Sequence, residues 1–223
     1  MNIFVTGTDT GVGKTVVCAA LLSQLKNKSP FYYKPIQTGA IYQNGSYLSE
    51  DVETINKLTA SNFCSETSCT YLLKEALSPL QAAQKENLQI DINKIINRLH
   101  DLQKKHSTII IEGAGGVYVP ITSESYILDL IRALGCPALV VIKPGLGTIN
   151  HTLLTFDALK KNKIKILGFI VGNYPQKPDN IEEENPVLIE KLSGIKCLGK
   201  IPHCNDLVKS SKNLTMQLNL EFF

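Results

Sequence analysis

The sequence of 223 residues has no run of about 18 apolar residues, the length that a membrane-spanning helix needs. It also has no internal repeat and no low-complexity tract, which excludes repeat arrays and fibrous chains. Six cysteines are present, Cys18, Cys64, Cys69, Cys136, Cys197 and Cys204, but no C-x-x-C pair. Cys64 and Cys69 lie close together without a second pair of Cys or His nearby, so reduced thiols in the cytoplasm are a simpler account than a metal knot or a disulfide loop. His100, His106, His151 and His203 are too dispersed for a ligand set, and no Ser/His/Asp hydrolase signature surrounds them. A strong excess of one charge is lacking as well. The net charge is +3, and the densest lysine cluster, Lys160, Lys161, Lys163 and Lys165, is expected to end a helix. Neither nucleic acid nor a membrane surface is indicated as a partner. The first residues read as strand and loop, so no signal peptide is expected.

What is present suits an ordinary globular protein: 43% hydrophobic and 19% charged residues, in a chain long enough for one well-buried core. One domain over residues 1–223 is expected. Apolar, β-rich runs recur at Ile3–Val5, Phe31–Tyr33, Thr108–Ile111, Ala138–Ile142, Ile166–Val171 and Cys197–Ile201. Helix-periodic stretches lie between them, at Val16–Leu25, Ile127–Leu134 and Leu153–Leu159. Another follows Asp91, which is placed to cap it, with Ile92, Ile95, Ile96, Leu99 and Leu102 on one face. Strands that are apolar throughout are those covered on both faces. Their alternation with helices predicts an α/β fold of the P-loop NTPase type, a mostly parallel, doubly wound sheet with helices on both faces. Gln37–Ser49 and Tyr174–Asn185 are polar and turn-rich and read as surface loops.

The strongest local signal is Phe4-Val5-Thr6-Gly7-Thr8-Asp9-Thr10-Gly11-Val12-Gly13-Lys14-Thr15, an apolar strand running into a glycine loop that ends in Gly-Lys-Thr before a helix. Glycines let the backbone turn its N–H groups toward phosphate oxygens, and the helix adds its positive N-terminal end. Lys14 is placed to bridge the β- and γ-phosphates, and the Thr15 hydroxyl to hold Mg²⁺. The spacing is a variant of the common one: Thr8 stands where the first glycine usually falls, and Gly7 is one residue further back. A strand-to-helix turn without a ligand is the alternative; the strand before and the helix after favour a nucleoside-triphosphate site.

Other segments carry weaker signals. Glu112 ends a buried strand and is followed by Gly113, Ala114, Gly115 and Gly116; its carboxylate needs a partner, for which Mg²⁺ beside a phosphate loop is apt, or it simply meets solvent or a structural lysine. Asp51 opens a helical segment and reads as a second metal carboxylate or as an ordinary helix-start acid. Lys34 closes the second strand, where it either points into the ligand crevice or simply marks the strand's exit. The stretch Lys143–His151 opens a helix whose backbone N–H groups suit an anion, or whose start is capped by Thr148.

Together these blocks resemble the dethiobiotin synthetase family. The resemblance is carried by Val5–Thr15, Tyr33-Lys34-Pro35 with Thr38-Gly39, Glu112–Gly116, Gly147-Thr148-Ile149-Asn150-His151 and Gly199-Lys200-Ile201-Pro202, in the family's order along the chain. It implies an ATP- and Mg²⁺-dependent ligase that closes a ureido ring on 7,8-diaminononanoate with CO₂ to give dethiobiotin, ADP and phosphate, in biotin biosynthesis. By the same resemblance Lys14 and Lys34 are the catalytic cations, and Thr15, Asp51 and Glu112 the metal ligands. Gly11, Val12, Gly13, Lys14, Thr15 and Val16 wrap the phosphates, and Thr10, Gly113, Ala114 and Gly115 also bind the nucleotide. Asn173 and Tyr174, with Pro202, His203 and Cys204, lie at the adenine. Thr38 contacts substrate, while Gly147 and Asn150 reach the substrate carboxylate across a homodimer. Gly11 and Tyr174 depart from the family's pattern, where acidic residues can occur. Switch ATPases that partition DNA or position division sites share the variant loop but usually carry an extra lysine near its start, and Thr8-Asp9-Thr10 has none. Amidoligases of cobyrinic acid synthesis need a glutaminase domain for which the chain has no room.

Overall fold

The computed structural model describes residues 1–203. In chain order the strands are β1 (Asn2–Gly7), β2 (Phe31–Gln37), β3 (Ile41–Gln43), β4 (Ser46–Leu48), β5 (Cys69–Leu72), β6 (Ile109–Gly116), β7 (Ala138–Ile142), β8 (Ile166–Tyr174) and β9 (Cys197–Pro202). The helices are α1 (Lys14–Gln24), α2 (Glu50–Thr59), α3 (Ser65–Ser68), α4 (Pro79–Lys85), α5 (Ile92–Gln103), α6 (Ile127–Leu134), α7 (Thr148–Lys161) and α8 (Asn180–Ser193). A seven-stranded sheet runs in the order β5-β2-β6-β1-β7-β8-β9, and every pairing in it is parallel.

Alternation along each buried strand divides the core in two. Phe4, Tyr33, Ile109, Ile111, Val140 and Phe169 pack on one face with α4 to α8. Ile3, Val5, Tyr32, Ile110, Leu139 and Ile170 pack on the other with α1 and α2. A strand with both faces covered has no polar face, which is why these runs are apolar throughout. The sheet order places β6 between β1 and β2, so the ends of these strands meet although they are far apart in sequence.

Several elements differ from what the sequence pattern suggested. The Gln37–Ser49 segment is not all surface loop: Gln37 is the buried last residue of β2, Ile41 to Leu48 form the antiparallel β3–β4 hairpin, and buried Ser49 caps α2. The expected loop Tyr174–Asn185 already contains the first turn of α8. Asp179 starts that helix with a capping box: its side chain accepts from the Glu182 backbone, while the Glu182 side chain accepts from the Asp179 backbone. Thr148 is the first residue of α7, not its cap; Gly147 holds the cap position with a left-handed backbone, and the Thr148 hydroxyl is buried. The lysine cluster does end a helix, with Lys160 and Lys161 in the last turn of α7.

Candidate active site

The β1–α1 junction is a tight loop whose backbone is left-handed at Gly11 (φ 70°) and at Gly13 (φ 96°), the residue capping α1. Side chains rarely adopt this conformation, so glycine is what lets the loop turn its amides inward ahead of Lys14. A Cβ at Gly11 would meet nothing within 4 Å, so the Gly11 departure from the family pattern leaves open space rather than a clash. The loop leans on β8: a Cβ at Gly172 would lie 2.1 Å from the Val12 carbonyl oxygen, so only glycine allows this approach. Next to it Asn173, also left-handed (φ 50°), donates from Nδ2 to the Gly11 carbonyl at 2.8 Å.

Beside the loop lies a cluster of opposite charges. Lys34 Nζ is 2.7 Å from Asp51 Oδ2 and 2.9 Å from Glu112 Oε1, and it donates to the Gly113 carbonyl at 3.2 Å. The Thr15 hydroxyl lies 3.0 Å from Asp51 Oδ1 and 3.0 Å from Glu112 Oε1. Register explains the convergence of β2 and β6. Tyr32 pairs with Ile110 on the face covered by α1, and two residues further along each strand are Lys34 and Glu112. Asp51 arrives from the first turn of α2, fixed by Ser49, whose hydroxyl accepts from the Val52 amide and donates to Gln37 Oε1 at 2.6 Å.

The electrostatics follow from burial. Desolvation pushes the Lys14 ammonium down to about 8, helped by the nearby charge of Lys34. Lys14 Nζ donates to the Asp9 carbonyl at 2.9 Å, within its own loop. Burial alone would also lower Lys34, but Asp51 and Glu112 outweigh it and hold this ammonium above its ordinary value. Burial would raise Asp51; the Lys34 cation more than offsets that and keeps its carboxyl below the usual range. Two carboxylates and a hydroxyl converging beside an anion-binding loop form a donor set suited to a hard divalent cation. Lys34 now fills that role between the two carboxylates.

A cleft of about 690 Å³ opens over this cluster. Of the residues expected at the site, Thr10, Gly11, Gly13, Lys14, Thr15, Val16, Lys34, Thr38, Asp51, Glu112, Ala114, Gly115 and Asn173 line it. Val12 is buried behind the loop, and Gly113 offers its carbonyl to Lys34. Tyr174 lies outside the cleft lining; its hydroxyl accepts from Lys200 Nζ at 2.8 Å, and its carbonyl accepts from the His203 amide. His203 Nδ1 is 3.4 Å from Asn173 Oδ1, Pro202 ends β9 and Cys204 lies outside the described residues. Gly147 and Asn150 are exposed at the start of α7 and do not line the cleft of the single chain. Pattern reading missed Gln37, the Ala76–Pro79 wall, Tyr32 and Gly172; only the buried, polar end of β2 hinted at the first of them.

An all-parallel sheet with a glycine loop between β1 and α1, flanked by Glu112 from within β6 and Asp51 from the first turn of α2, defines a P-loop nucleotide-binding protein. Solved structures agree on the fold. The septum site-determining protein MinD complexed with Mg-ADP from Pyrococcus horikoshii superposes with a TM-score of 0.58 at 20% identity, covering 96% of this chain and 88% of that one. Apo McdA from Cyanothece gives 0.58 at 11% identity, covering 96% and 89%. The AAA domain family model matches residues 1–211. Sequence relatives are more specific. The ATP-dependent dethiobiotin synthetase BioD of Thermodesulfovibrio yellowstonii is 36% identical, covering 98% of this chain and 95% of that protein. The enzyme of the same name from Fusobacterium nucleatum is 40% identical, covering 87% and 88%. The chain belongs to the ATP-dependent dethiobiotin synthetase family.

Proposed function

We propose that this chain is a one-domain, ATP- and Mg²⁺-dependent ligase that closes the ureido ring of dethiobiotin from 7,8-diaminononanoate and CO₂, acting as a cytoplasmic homodimer. The observation that carries the reading is the buried Lys34 ammonium held between Asp51 and Glu112 beside the P-loop. The chemistry asks for such an arrangement. One amine of the substrate bonds to CO₂ and loses a proton, giving a carbamate. A carbamate oxygen attacks the γ-phosphorus and ADP leaves; the second amine then attacks the carbonyl carbon, loses a proton and expels phosphate. Carbamate and triphosphate are both anions, so catalysis is mainly positioning and neutralisation of charge.

Lys14 faces the phosphates and Lys34 the carbamate. Thr15, Asp51 and Glu112 are the residues that would hold Mg²⁺, which supplies further positive charge to the phosphates when bound. Thr38, in the cleft wall, contacts the diamine. Asn173, with Tyr174, Pro202, His203 and Cys204, lies toward the adenine, where an amide both donates and accepts. Gly147 and Asn150, exposed at a helix N-terminus, suit the substrate's carboxylate when presented by a second subunit.

The test is turnover by the purified protein. ATP should be converted to ADP only when 7,8-diaminononanoate and bicarbonate are both supplied, with isotope from bicarbonate recovered in dethiobiotin. ATP hydrolysis without the diamine, stimulated by DNA or by lipid vesicles, would instead overturn the ligase reading.

A further inference from the structure

The phenol of Tyr32 does not line the cleft, yet it ends at the charge cluster. Tyr32 is 0% exposed, and its hydroxyl donates to Glu112 Oε2 at 2.7 Å. Glu112 is itself 1% exposed, and its other oxygen, Oε1, receives Thr15 at 3.0 Å and Lys34 at 2.9 Å. The two carboxylate oxygens thus have separate partners: one faces the cluster and the other receives the phenol, while the buried Cys18 thiol also lies against this carboxylate. The terminal torsion of a glutamate is soft, and Lys34 and Thr15 both pull on the same oxygen, so neither fixes the plane of the group. We propose that Tyr32 is a positioning residue for the metal site, locking the plane of the Glu112 carboxylate so that Oε1 is presented to the cation without rearrangement. This inference rests on the reading that Thr15, Asp51 and Glu112 hold a divalent cation.

Tyr32 suits the task because it is neutral. Lys34 occupies the carboxylates as a charge and therefore competes with an incoming cation, whereas a phenol satisfies Oε2 and leaves the negative charge available. A buried phenol facing a carboxylate oxygen at 2.7 Å serves as the donor of that bond, since a carboxylate can only accept. The ring is held in turn by packing in the α1-side core and against Phe63, 6.3 Å away between ring centres. Outer hydrogen bonds of this kind typically alter metal affinity by about 10- to 100-fold when removed.

The experiment titrates Mn²⁺ by electron paramagnetic resonance into the ADP-loaded protein, comparing wild type, Tyr32→Phe and Glu112→Gln, with metal-free ADP affinity measured alongside. Tyr32→Phe should weaken Mn²⁺ about 10- to 100-fold and leave metal-free ADP affinity within about twofold. Wild-type Mn²⁺ affinity in Tyr32→Phe, with Glu112→Gln impaired, overturns the role of Tyr32 and leaves the cation reading intact. Wild-type affinity in Glu112→Gln overturns the cation reading and the inference with it. An equal loss of metal-free ADP affinity in Tyr32→Phe shows a general packing role and also overturns the inference. A measurement on the unaltered chain covers a failure of Tyr32→Phe to fold. With tyrosine labelled at Cζ, Mg²⁺ added to the ADP-loaded protein should shift the carbon resonance of a solvent-protected phenol, and eight unmoved tyrosine signals would refute the role.

Discussion

Replacing Lys34 by Met tests the charge cluster most directly. The substitution keeps much of the side-chain volume and removes the cation that lies 2.7 Å from Asp51 and 2.9 Å from Glu112. Removing one partner of a buried ion pair costs about 3–5 kcal/mol, because the remaining charge is left uncompensated. The Asp51 side chain is 26% exposed, which places the expected loss near the lower end, about 3 kcal/mol. For a chain of this length that is a fall in melting temperature of roughly 6–12 °C. The assay is thermal unfolding at pH 7.5 in EDTA, repeated with Mg²⁺. A divalent ion at about 100 times its Kd adds about 2.7 kcal/mol, so it should restore most of the loss in the variant and do less for wild type, where Lys34 competes. The pH dependence has opposite signs in the two proteins. In wild type the Asp51 carboxyl is held low, so its stabilisation is present above the unfolded carboxylate range and fades as pH falls through the folded value. In the variant the Lys34 cation no longer offsets burial, which raises the Asp51 carboxyl, so the deficit should shrink toward pH 5. A Lys34→Met protein that melts like wild type in EDTA at pH 7.5 would refute the reasoning.

The remaining predictions concern the loop. Gly172→Ala drives a methyl group against the Val12 carbonyl oxygen, where backbone rather than a mobile side chain must yield, so stability should fall by about 1–3 kcal/mol or more. Nucleotide affinity should fall with it, as read by calorimetry, and normal affinity would mean that the loop tolerates displacement. Asn173→Ala removes the 2.8 Å bond to the Gly11 carbonyl and should weaken ATP binding about 3- to 10-fold while narrowing any preference for ATP over GTP. An unchanged preference would count against an adenine-reading role. Lys14 is pushed down to about 8 by burial, so between there and its unfolded value near 10.5 the folded chain binds fewer protons and the penalty for burying the charge is relieved as pH rises. A bound triphosphate favours the ammonium, so at pH 8.5 binding should take up a sizeable fraction of a proton through Lys14, more than at pH 7.5. Calorimetry in buffers of differing ionisation heat measures this; equal heats at pH 8.5 would show that Lys14 is already charged.

Much of the fold is legible in the sequence because burial on both faces leaves a plain trace. The patterns at Ala138–Ile142 and Ile127–Leu134 have the bounds of β7 and α6, and Asp91 does cap α5 by accepting from the Asn93 amide. What escapes is short or mixed in character. β5 is four residues at the sheet edge, paired with β2 alone and only alternately buried, so its pattern never reaches the length that separates a strand from a loop. α8 is obscured by Pro186 and a run of acids, although Asp179 and Glu182 carry the signature of a helix start. The P-loop is legible because its function is local: strand, glycines, lysine and helix are consecutive. Lys34, Asp51 and Glu112 are individually ambiguous, since nothing in their own segments says that β6 inserts between β1 and β2. Tyr32 and Gly172 have no sequence signal at all, because each matters only through a neighbour supplied by the sheet order.

That dependence on sheet order also explains why the fold neighbours do not decide the chemistry. A loop between β1 and α1 is common property of the fold, and identities of 11% and 20% carry no more than that. On the proposed reading a ligase needs in addition a cation facing the space beyond the γ-phosphate, and that cation is Lys34, which lies midway along β2 rather than closing it. On the proposed reading Lys34 cannot serve the carbamate while both carboxylates hold it at 2.7 and 2.9 Å. Asp51 and Glu112 are also the residues that would hold a divalent ion; with their charge neutralised, the four-carbon stem of Lys34 would let its ammonium turn toward an anion in the cleft. On that reading metal loading and the release of Lys34 would be coupled, and the pairing of Lys34 with Glu112 is the element of this site that the shared loop does not contain.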